Sequence, residues 1–272
     1  MTKDLERKIE QSIKIVKTAC ASHEYVIAFS GGKDSVCLDW ICKQAGYDLL
    51  KVYNATTIDP PKTISFCKYE YQAEIRMPRY TFLDLVEKKG YPTMFRRFCC
   101  KYLKESFIAK YVMTGVRKAE SVARSKRYCD FESARKFSSG LYSTFLHPLL
   151  LFTTEDIQTV VDEFALKCHP LYYDAEGNFC ANRRLGCIGC PLQSDKGKAD
   201  YLQYPKLLRS VAVRLIRYHL NHGRTKEDAY ENLVYVLFYS DKPYEVYASA
   251  FKGLFPSNAK TMLENYFSIE LP

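Results

Sequence analysis

Along the chain, segments with apolar residues at helical spacing alternate with short apolar segments typical of strands. Apolar residues at helical spacing over residues 5–20 predict an amphipathic helix, and Tyr25-Val26-Ile27-Ala28-Phe29 predicts a buried strand. A helical stretch at residues 35–41 follows. A short segment of small residues therefore joins this strand to this helix.

The same alternation continues through the first two thirds of the chain. A strand is predicted over residues 49–53, a helix beginning near Pro61, and a third strand around 74–77. Helical patterns recur at residues 100–110 and 155–166. Strands that alternate with helices predict an α/β fold with a doubly wound, mainly parallel sheet.

The C-terminal part differs in its pattern. Thr153 or Thr154 is suited to cap the helix at 155–166, whereas residues 205–272 are predicted to be wholly helical, with breaks at Pro205, Gly223 and Pro256. The chain has no repeat and no low-complexity linker. We expect a first domain over residues 1–195 and a helical C-terminal region over 196–272 that packs on it.

Composition and charge narrow the class of protein. The 272 residues, 47% of them apolar, can bury one large core or a core with a smaller satellite. The chain contains no run of about eighteen apolar residues and begins with a charged, amphipathic segment, so we expect a cytoplasmic protein that is neither exported nor membrane-spanning. The net charge of +9 favours nucleotides or nucleic acid as partners, although a solvated basic surface explains it equally well.

The segment Ser30-Gly31-Gly32-Lys33-Asp34-Ser35 is the first candidate binding site. Small residues between a buried strand and a helix start allow several backbone N–H groups to converge on a phosphate, and the helix dipole favours the negative charge. The adjacent glycines do not match a Walker A loop, which needs four residues between its first glycine and Gly-Lys-Ser/Thr. A simple tight turn is the alternative interpretation.

Cysteine spacing gives the second candidate site. In a cytosolic chain, eleven cysteines favour metal ligation or catalysis over disulfides. Cys99 and Cys100 are adjacent, and Cys187 and Cys190 form a CxxC pair, so together they can supply four thiolate ligands. A [4Fe-4S] cluster suits adjacent cysteines better than one tetrahedral zinc ion does, and zinc or buried structural thiols are the alternatives. A structural role is preferred for the cysteines in helical contexts, which are Cys20, Cys37, Cys42 and Cys168.

The third candidate site contains two arginines seven positions apart. Arg117 and Arg124 follow an apolar stretch and Thr114-Gly115. Guanidinium groups bind phosphate and sulfate in a bidentate manner. A solvated basic loop is an equally good interpretation of the segment by itself.

These segments together resemble the PAPS reductase family of the PP-loop ATP pyrophosphatase superfamily. The match consists of Ser30–Ser35, the Thr-Gly-x-Arg-x-x-x-Ser-x-x-Arg pattern at residues 114–124, and the adjacent cysteines followed by CxxC, which are typical of the iron-sulfur branch. His147-Pro148-Leu149 and His169-Pro170-Leu171-Tyr172 follow in the family's order, and we expect both histidines to have packing or hydrogen-bonding roles.

The resemblance implies a fold like that of adenine nucleotide alpha-hydrolases and a nucleotide-binding first domain with an iron-sulfur site. It implies that Ser30, Gly31, Gly32, Lys33, Asp34 and Ser35 hold nucleotide phosphates, that Arg117, Ser121 and Arg124 face the anionic end of the nucleotide, and that Cys99, Cys100, Cys187 and Cys190 hold a [4Fe-4S] cluster.

One family feature is missing from this sequence. Sulfonucleotide reductases carry a nucleophilic cysteine in a C-terminal Glu-Cys-Gly-x-His segment, but no cysteine follows Cys190. The first hypothesis is therefore ATP-dependent activation of a DNA or tRNA acceptor for sulfur insertion. The alternatives are reduction of APS or PAPS to sulfite with a non-standard nucleophile, and a non-enzymatic, nucleotide-responsive iron-sulfur protein.

The first hypothesis assigns catalytic roles to the candidate residues. Lys33 adds positive charge, Asp34 helps to hold Mg²⁺, and Arg117 or Arg124 stabilises charge on the departing phosphate. A protein that donates sulfur or electrons is a further expected partner. Two spare thiols are candidates to carry sulfur, although structural roles are the favoured interpretation of both: Cys129 and Cys180.

The helical segment 206–217 carries basic residues among apolar ones. A solvated helix face explains this pattern, and a face that binds a polyanion is the alternative. With 22 tyrosines in the chain, stacking on nucleic-acid bases stays open.

Overall fold

The computed structural model describes residues 1–240, 244–251 and 259–272, which divide into two compact units. Unit 1 contains Met1–Ala55, Pro60–Arg76 and Ser106–Leu185. Unit 2 contains Thr56–Asp59, Met77–Glu105 and Gly186–Pro272. The division differs from the expected one at residue 195, because two earlier segments of the chain belong to the same unit as the C-terminal helices.

Unit 1 contains a six-stranded sheet with the order β3-β2-β1-β4-β6-β5. All neighbouring strands pair in parallel except β5 and β6, which form an antiparallel hairpin at one edge. The strands are β1 Val26–Ala28, β2 Lys51–Asn54, β3 Glu74–Arg76, β4 Tyr111–Met113, β5 Glu132–Lys136 and β6 Tyr142–Leu146.

Eleven α-helices occur in the described part of the chain, and short 3-10 and π-helical turns extend several of them. They are α1 Lys3–Cys20, α2 Lys33–Gln44, α3 Thr63–Ser65, α4 Phe82–Lys89, α5 Val122–Arg127, α6 Thr154–Glu163, α7 Lys198–Gln203, α8 Pro205–Asn221, α9 Lys226–Val234, α10 Tyr244–Phe251 and α11 Ala259–Phe267.

The core of unit 1 explains why its central strands are apolar throughout. Ile27, Val52 and Val112 lie on three neighbouring strands and are almost inaccessible to solvent. Parallel strands covered by helices bury residues of both faces. Helix α2 packs against both α1 and α6. The predicted α/β class with a mainly parallel, doubly wound sheet is confirmed.

One local prediction needs correction, and one element was missed. The helix predicted over 100–110 is shorter in the structure, where a π-helical turn covers Cys100–Lys104. The backbone at 109–110 instead accepts hydrogen bonds from Ser143 Oγ and Thr144 N, which draws it into the sheet. The β5–β6 hairpin was not predicted, although Gly140, at a φ of 83°, marks its turn.

The described residues of unit 2 form helices and connecting loops, and all six strands lie in unit 1. Helix α4 packs against α8, α8 against α9, and α9 against α11, around a separate apolar core that includes Leu85, Val211 and Leu233. The helical prediction for 205–272 agrees with α8 to α11, whereas Pro256 lies outside the described residues. Among the described residues, none of the helices is both long and apolar enough to span a membrane.

Candidate functional site

The candidate site in unit 1 lies where the winding of the sheet reverses. From β1 the chain continues outward to β2 and β3, and it returns on the other side of β1 with β4. The carboxyl ends of two such neighbouring strands open a crevice, which is the usual ligand position in this class of sheet. A cavity of about 420 Å³ lies there, and it is lined by Ala28, Ser30, Gly32, Lys33, Asp34, Ser35, Thr114, Gly115, Val116, Arg117, Ala119, Glu120, Arg124, Thr154, Tyr172, Ala181, Asn182, Arg184 and Leu185.

The glycines after β1 have distinct physical roles. Gly31 has a φ of 70°, and a Cβ atom there would lie 2.8 Å from the Sγ of buried Cys67. Gly32 is the N-cap residue of α2, and no side chain caps this helix. An uncapped helix N-terminus presents backbone donors and a positive dipole end to a ligand. The loop therefore has the backbone geometry that a phosphate site requires.

The two serines of the loop hold its shape. Ser35 Oγ donates a hydrogen bond to Gly32 O at 2.8 Å and accepts one from Ser30 N at 3.3 Å. Ser30 Oγ accepts a hydrogen bond from Gly32 N at 3.3 Å. Both ends of the loop are thus tied together before any ligand binds.

Lys33, Asp34 and Arg117 form a charged group at the base of the cavity. Arg117 Nε lies 2.7 Å from Asp34 Oδ1, and Lys33 Nζ lies 3.4 Å from Asp34 Oδ2. Lys33 and Arg117 are buried. Both carboxylate oxygens of Asp34 thus face cationic side chains, and the role of Asp34 in holding Mg²⁺ stays a prediction.

The second arginine of the motif stands at a more exposed position. Arg124 pairs with Glu120, which also accepts a hydrogen bond from Arg117 N at 3.1 Å. Ser121 Oγ accepts from Arg124 N at 3.2 Å and caps α5. Arg184 donates to Glu120 O at 3.3 Å. Glu120 therefore orders both arginines of the motif, while Ser121 positions the helix that carries Arg124.

Charge in the cavity favours an anionic ligand. Its lining carries the cations of Lys33, Arg117, Arg124 and Arg184 against the two carboxylates of Asp34 and Glu120. Cations that are held in place by hydrogen bonds bind phosphate or sulfate with little loss of side-chain entropy. The cavity is thus suited to the phosphate end of a nucleotide.

Three lining residues beyond the predicted site residues shape the cavity. A Cβ atom at Gly115 would lie 2.7 Å from Asp34 O, so only glycine lets the end of β4 approach the start of α2 this closely. The Lys33 ammonium lies 5.5 Å from the centre of the Tyr172 ring, and burial raises the pKa of the Tyr172 hydroxyl. Asn182 completes the wall beside Arg184.

The two histidines have the structural roles expected of them. His147 Nδ1 lies 2.7 Å from Thr114 Oγ1, and its Nε2 lies 2.8 Å from Ser133 Oγ. Burial lowers the pKa of His147 to about 4. His169 Nδ1 accepts a hydrogen bond from Leu171 N at 3.2 Å, and burial lowers its pKa as well.

All four predicted cluster cysteines lie in unit 2. The Cys99 thiol and the Arg97 guanidinium lower the pKa of the Cys100 thiol to about 6, whereas burial raises the pKa of Cys190. Cys187 Sγ lies 3.5 Å from Thr56 Oγ1.

Two tyrosine side chains pack against the CxxC segment and fix its backbone. Gly189, at a φ of 67°, lies so close to Tyr201 that a Cβ atom would overlap the ring. Tyr91 donates to Gly189 O at 3.0 Å and contacts the Tyr201 hydroxyl. Asp200 accepts a hydrogen bond from Gly189 N at 2.8 Å. The loop between the two thiols is therefore fixed in place.

The cysteines do not form a compact ligand set for one ion. Within the described ranges, no three His, Cys, Asp or Glu side chains are grouped so that they could hold a metal ion. A single zinc ion needs its thiolates to converge at about 2.3 Å from one point, whereas a four-iron cluster binds them to separate irons. The spare thiols Cys129 and Cys180 do not line the cavity of unit 1.

Comparison of the sequence with known protein families identifies the family of this chain. The sequence profile of the phosphoadenosine phosphosulfate reductase domain matches residues 24–193, which is most of the chain. The chain belongs to this family. The prediction of the PAPS reductase family is thereby confirmed, whereas membership of its iron-sulfur branch stays a prediction.

Solved structures that resemble this member of the phosphoadenosine phosphosulfate reductase family share little of its sequence. A phosphoadenylyl-sulfate (PAPS) reductase from Candida auris, in a phosphate complex, is 14% identical, with a TM-score of 0.47 over 69% of this chain and 96% of that one. An FMN adenylyltransferase from Candida glabrata is also 14% identical, with a TM-score of 0.47 over 68% of this chain and 62% of that one. No curated protein matches the sequence.

Proposed function

We propose that this chain is a nucleotide-utilising enzyme that binds an adenine nucleotide in the cavity of unit 1. One observation carries the proposal. The uncapped N-terminus of α2 and four cationic side chains line the same cavity, at the point where the winding of the sheet reverses. Pyrophosphate needs both backbone donors and fixed positive charge. Family membership over residues 24–193 supports the same class of ligand.

Each charged residue receives a role from its contacts. Lys33 and Arg117 neutralise the phosphates directly, because both are buried and line the cavity. Asp34 acts as a positioning residue that orients Arg117 through the 2.7 Å ion pair. Arg124 is more exposed and meets the outer phosphates or the departing group.

The reaction proposed is activation of an acceptor by ATP. An oxygen of a DNA or tRNA acceptor attacks the α-phosphorus, the bond to the β-phosphate oxygen breaks, and pyrophosphate leaves with its electron pair. A sulfur nucleophile then displaces AMP from the adenylated acceptor. The cations of the cavity stabilise the charge that develops on the leaving pyrophosphate.

A reductase acting on APS or PAPS is the second candidate, and family membership favours it. Such a reaction needs a thiol within reach of the sulfonucleotide sulfur. Among the described residues, no cysteine lines the cavity, and Cys67 lies buried beneath Gly31. This arrangement supports ATP activation over sulfonucleotide reduction.

We further propose that Cys99, Cys100, Cys187 and Cys190 hold a [4Fe-4S] cluster. The four thiols share one unit, and the CxxC loop is fixed by Tyr91, as a ligand loop needs to be. A cluster bound there would supply iron sites for sulfur or electron transfer.

Nucleotide binding is tested first, by calorimetry with ATP, AMP, APS and PAPS. We expect the Lys33→Gln variant to bind ATP at least tenfold more weakly, because a buried phosphate contact is lost. Lys43→Gln, at the other end of α2, is the matched control and should bind normally. Equal affinities of both variants would contradict the phosphate site.

Turnover distinguishes the two reactions. We expect pyrophosphate release from ATP when a DNA or tRNA acceptor is present, and no sulfite from APS or PAPS with a thiol reductant. Sulfite formation would replace the first reaction with the second. Nucleotide binding without any turnover would favour a purely responsive protein.

The cluster is tested by anaerobic purification with iron, sulfide and visible-absorption measurements. We expect about four irons and four sulfides for each chain, and loss of both in a Cys187→Ala variant. Cys129→Ala is the control that should keep the cluster. Stoichiometric zinc without iron would contradict the proposal.

A further inference from the structure

A basic and aromatic surface in unit 2 has no role in the nucleotide site. It is formed by residues 88–104, which we call the basic-aromatic segment. The segment contains six Lys or Arg residues and no Asp or Glu. It therefore concentrates much of the chain's excess positive charge in a short stretch.

Side-chain contacts fold this segment into one surface. Arg96 donates to Lys89 O at 2.8 Å, which brings the loop after α4 back to the end of that helix. The Lys89 ammonium lies 5.0 Å from the centre of the Tyr102 ring. The end of α4, the loop and the π-helical turn thus meet at Lys89.

Aromatic rings are exposed on this surface. The Phe95 side chain is 73% exposed and Tyr102 is 45% exposed. Exposed aromatic rings beside cations are the elements with which proteins bind an unpaired nucleic-acid strand: the rings stack on bases and the cations meet phosphates.

Five of the six cations in the segment have no carboxylate partner among the described residues. They are Lys88, Lys89, Arg96, Arg97 and Lys101. On α8, by contrast, Arg214 and Arg217 both pair with Glu87. The cations of the segment that lack a carboxylate partner give it charge complementarity to a polyanion.

We propose that the basic-aromatic segment docks single-stranded nucleic acid, with bases on Phe95 and Tyr102 and phosphates on the neighbouring cations. The proposal deepens the proposed function, since it gives the acceptor a binding surface and rests on that acceptor being a nucleic acid. A single strand is required because paired bases do not offer their faces to the rings.

A membrane surface fits this segment less well. Peripheral membrane helices bury a continuous apolar face in the lipid. In α4, however, the apolar residues Phe82, Leu85 and Val86 are already buried in the core of unit 2. The π-helical turn that follows is only five residues long.

Fluorescence anisotropy with labelled twelve-nucleotide thymidine DNA and uridine RNA, in the absence of ATP, tests the proposal. We expect Phe95→Ala and Tyr102→Ala to bind about tenfold more weakly, because each loses one stacked base. Tyr69→Ala is the matched control, since Tyr69 is 72% exposed and lies in unit 1. Lys33→Gln should bind the oligonucleotide normally, which separates this test from that of the nucleotide site.

Salt dependence tests the charge part of the proposal. Replacing one phosphate-contacting cation should reduce the slope of log K against log salt by about 0.7 for a single strand. We expect this change for Lys101→Gln and none for the exposed control Arg224→Gln.

Four results would overturn the proposal. They are no binding of either oligonucleotide at low salt, equal binding of duplex DNA, equal affinity of Phe95→Ala and Tyr69→Ala, and binding to phosphatidylserine vesicles without binding to oligonucleotides.

Discussion

Two glycines in unit 1 show how single residues allow two segments of the chain to approach each other closely. Gly31 combines a positive φ with a neighbour, Cys67 Sγ, that leaves no room for a side chain. Gly115 has an ordinary φ, and its Cβ would instead meet the backbone of Asp34. Gly31 is therefore needed both for its positive φ and because a side chain would not fit, whereas Gly115 is needed only because a side chain would not fit.

Replacing Gly31 by alanine should therefore damage the phosphate loop. Alanine at a positive φ costs about 1 kcal/mol, and displacing Cys67 adds about 1 to 3 kcal/mol from overpacking. Gly140→Ala is the matched control, because Gly140 also has a positive φ but nothing within 4 Å of its Cβ position.

Urea unfolding and ATP titration measure the two effects. We expect the Gly31 variant to lose more stability than the Gly140 variant and to be the one that binds ATP more weakly. Similar losses of stability in both variants would show that Cys67 moves aside without cost.

Partners distant in sequence could not be assigned from residue types. The ion pair of Asp34 with Arg117 joins two segments that are each recognisable as motifs, but nothing in either motif shows that one orients the other. Glu120 was also missed, although it lies within the arginine motif, only four residues before its partner Arg124. Proximity of opposite charges at helical spacing was the available signal.

At the scale of elements, the N-cap of α6 was predicted to within one residue. Thr153 and Thr154 were both candidates for the start of α6, and the structure selects Thr153. Its hydroxyl accepts a hydrogen bond from Asp156 N at 3.1 Å, and Asp156 accepts one from Thr153 N at 2.8 Å. This reciprocal pair is a capping box.

The capping box predicts a difference between two neighbouring threonines. Thr153→Ala should lower the free energy of unfolding by about 1 kcal/mol, because Asp156 N loses its partner. Thr154→Ala, one position into the helix, should change it by less than about half of that. Urea unfolding measures both, and a larger loss for Thr154→Ala would contradict the assignment of the cap.

The element errors share one cause. The segment 100–110 has a helical pattern, yet its second half bonds to β6 and enters the sheet. The β5–β6 hairpin likewise depends on pairing across a turn rather than on local periodicity. Long-range strand pairing overrides local preference where the two compete.

At the scale of the whole molecule, the two units divide the candidate chemistry. The predicted phosphate-binding residues lie in unit 1 and the four predicted cluster cysteines in unit 2. Each unit has its own apolar core. Local periodicity did not indicate that segments 56–59 and 77–105 belong with the C-terminal helices, because unit membership follows from packing.

Global stability should fall in mild acid because His147 is buried in its neutral form. Its pKa is lowered to about 4 from the ordinary value of 6.5, so between these pH values the unfolded chain binds a proton that the folded chain does not. Stability is thus complete above pH 6.5 and decreases toward pH 4, by up to about 3 kcal/mol from this group.

Unfolding free energies measured between pH 4 and pH 7 test this expectation. The His147→Gln variant should show a shallower dependence on pH, reduced by up to about 1.4 kcal/mol per pH unit. The exposed His222 provides the control variant His222→Gln, which should keep the wild-type slope. An unchanged slope for His147→Gln would show that other groups cause the acid sensitivity.

The sequence by itself determined the α/β class and the family, and it located the candidate phosphate loop and the arginine motif, because each depends on local periodicity or on residues close together in the chain. Only the tertiary structure decided which strands are neighbours, that Asp34 pairs with Arg117, that Gly115 and Tyr172 line the cavity, and that the four cysteines share unit 2. These features depend on contacts between segments far apart in the chain, which packing creates and local spacing does not encode.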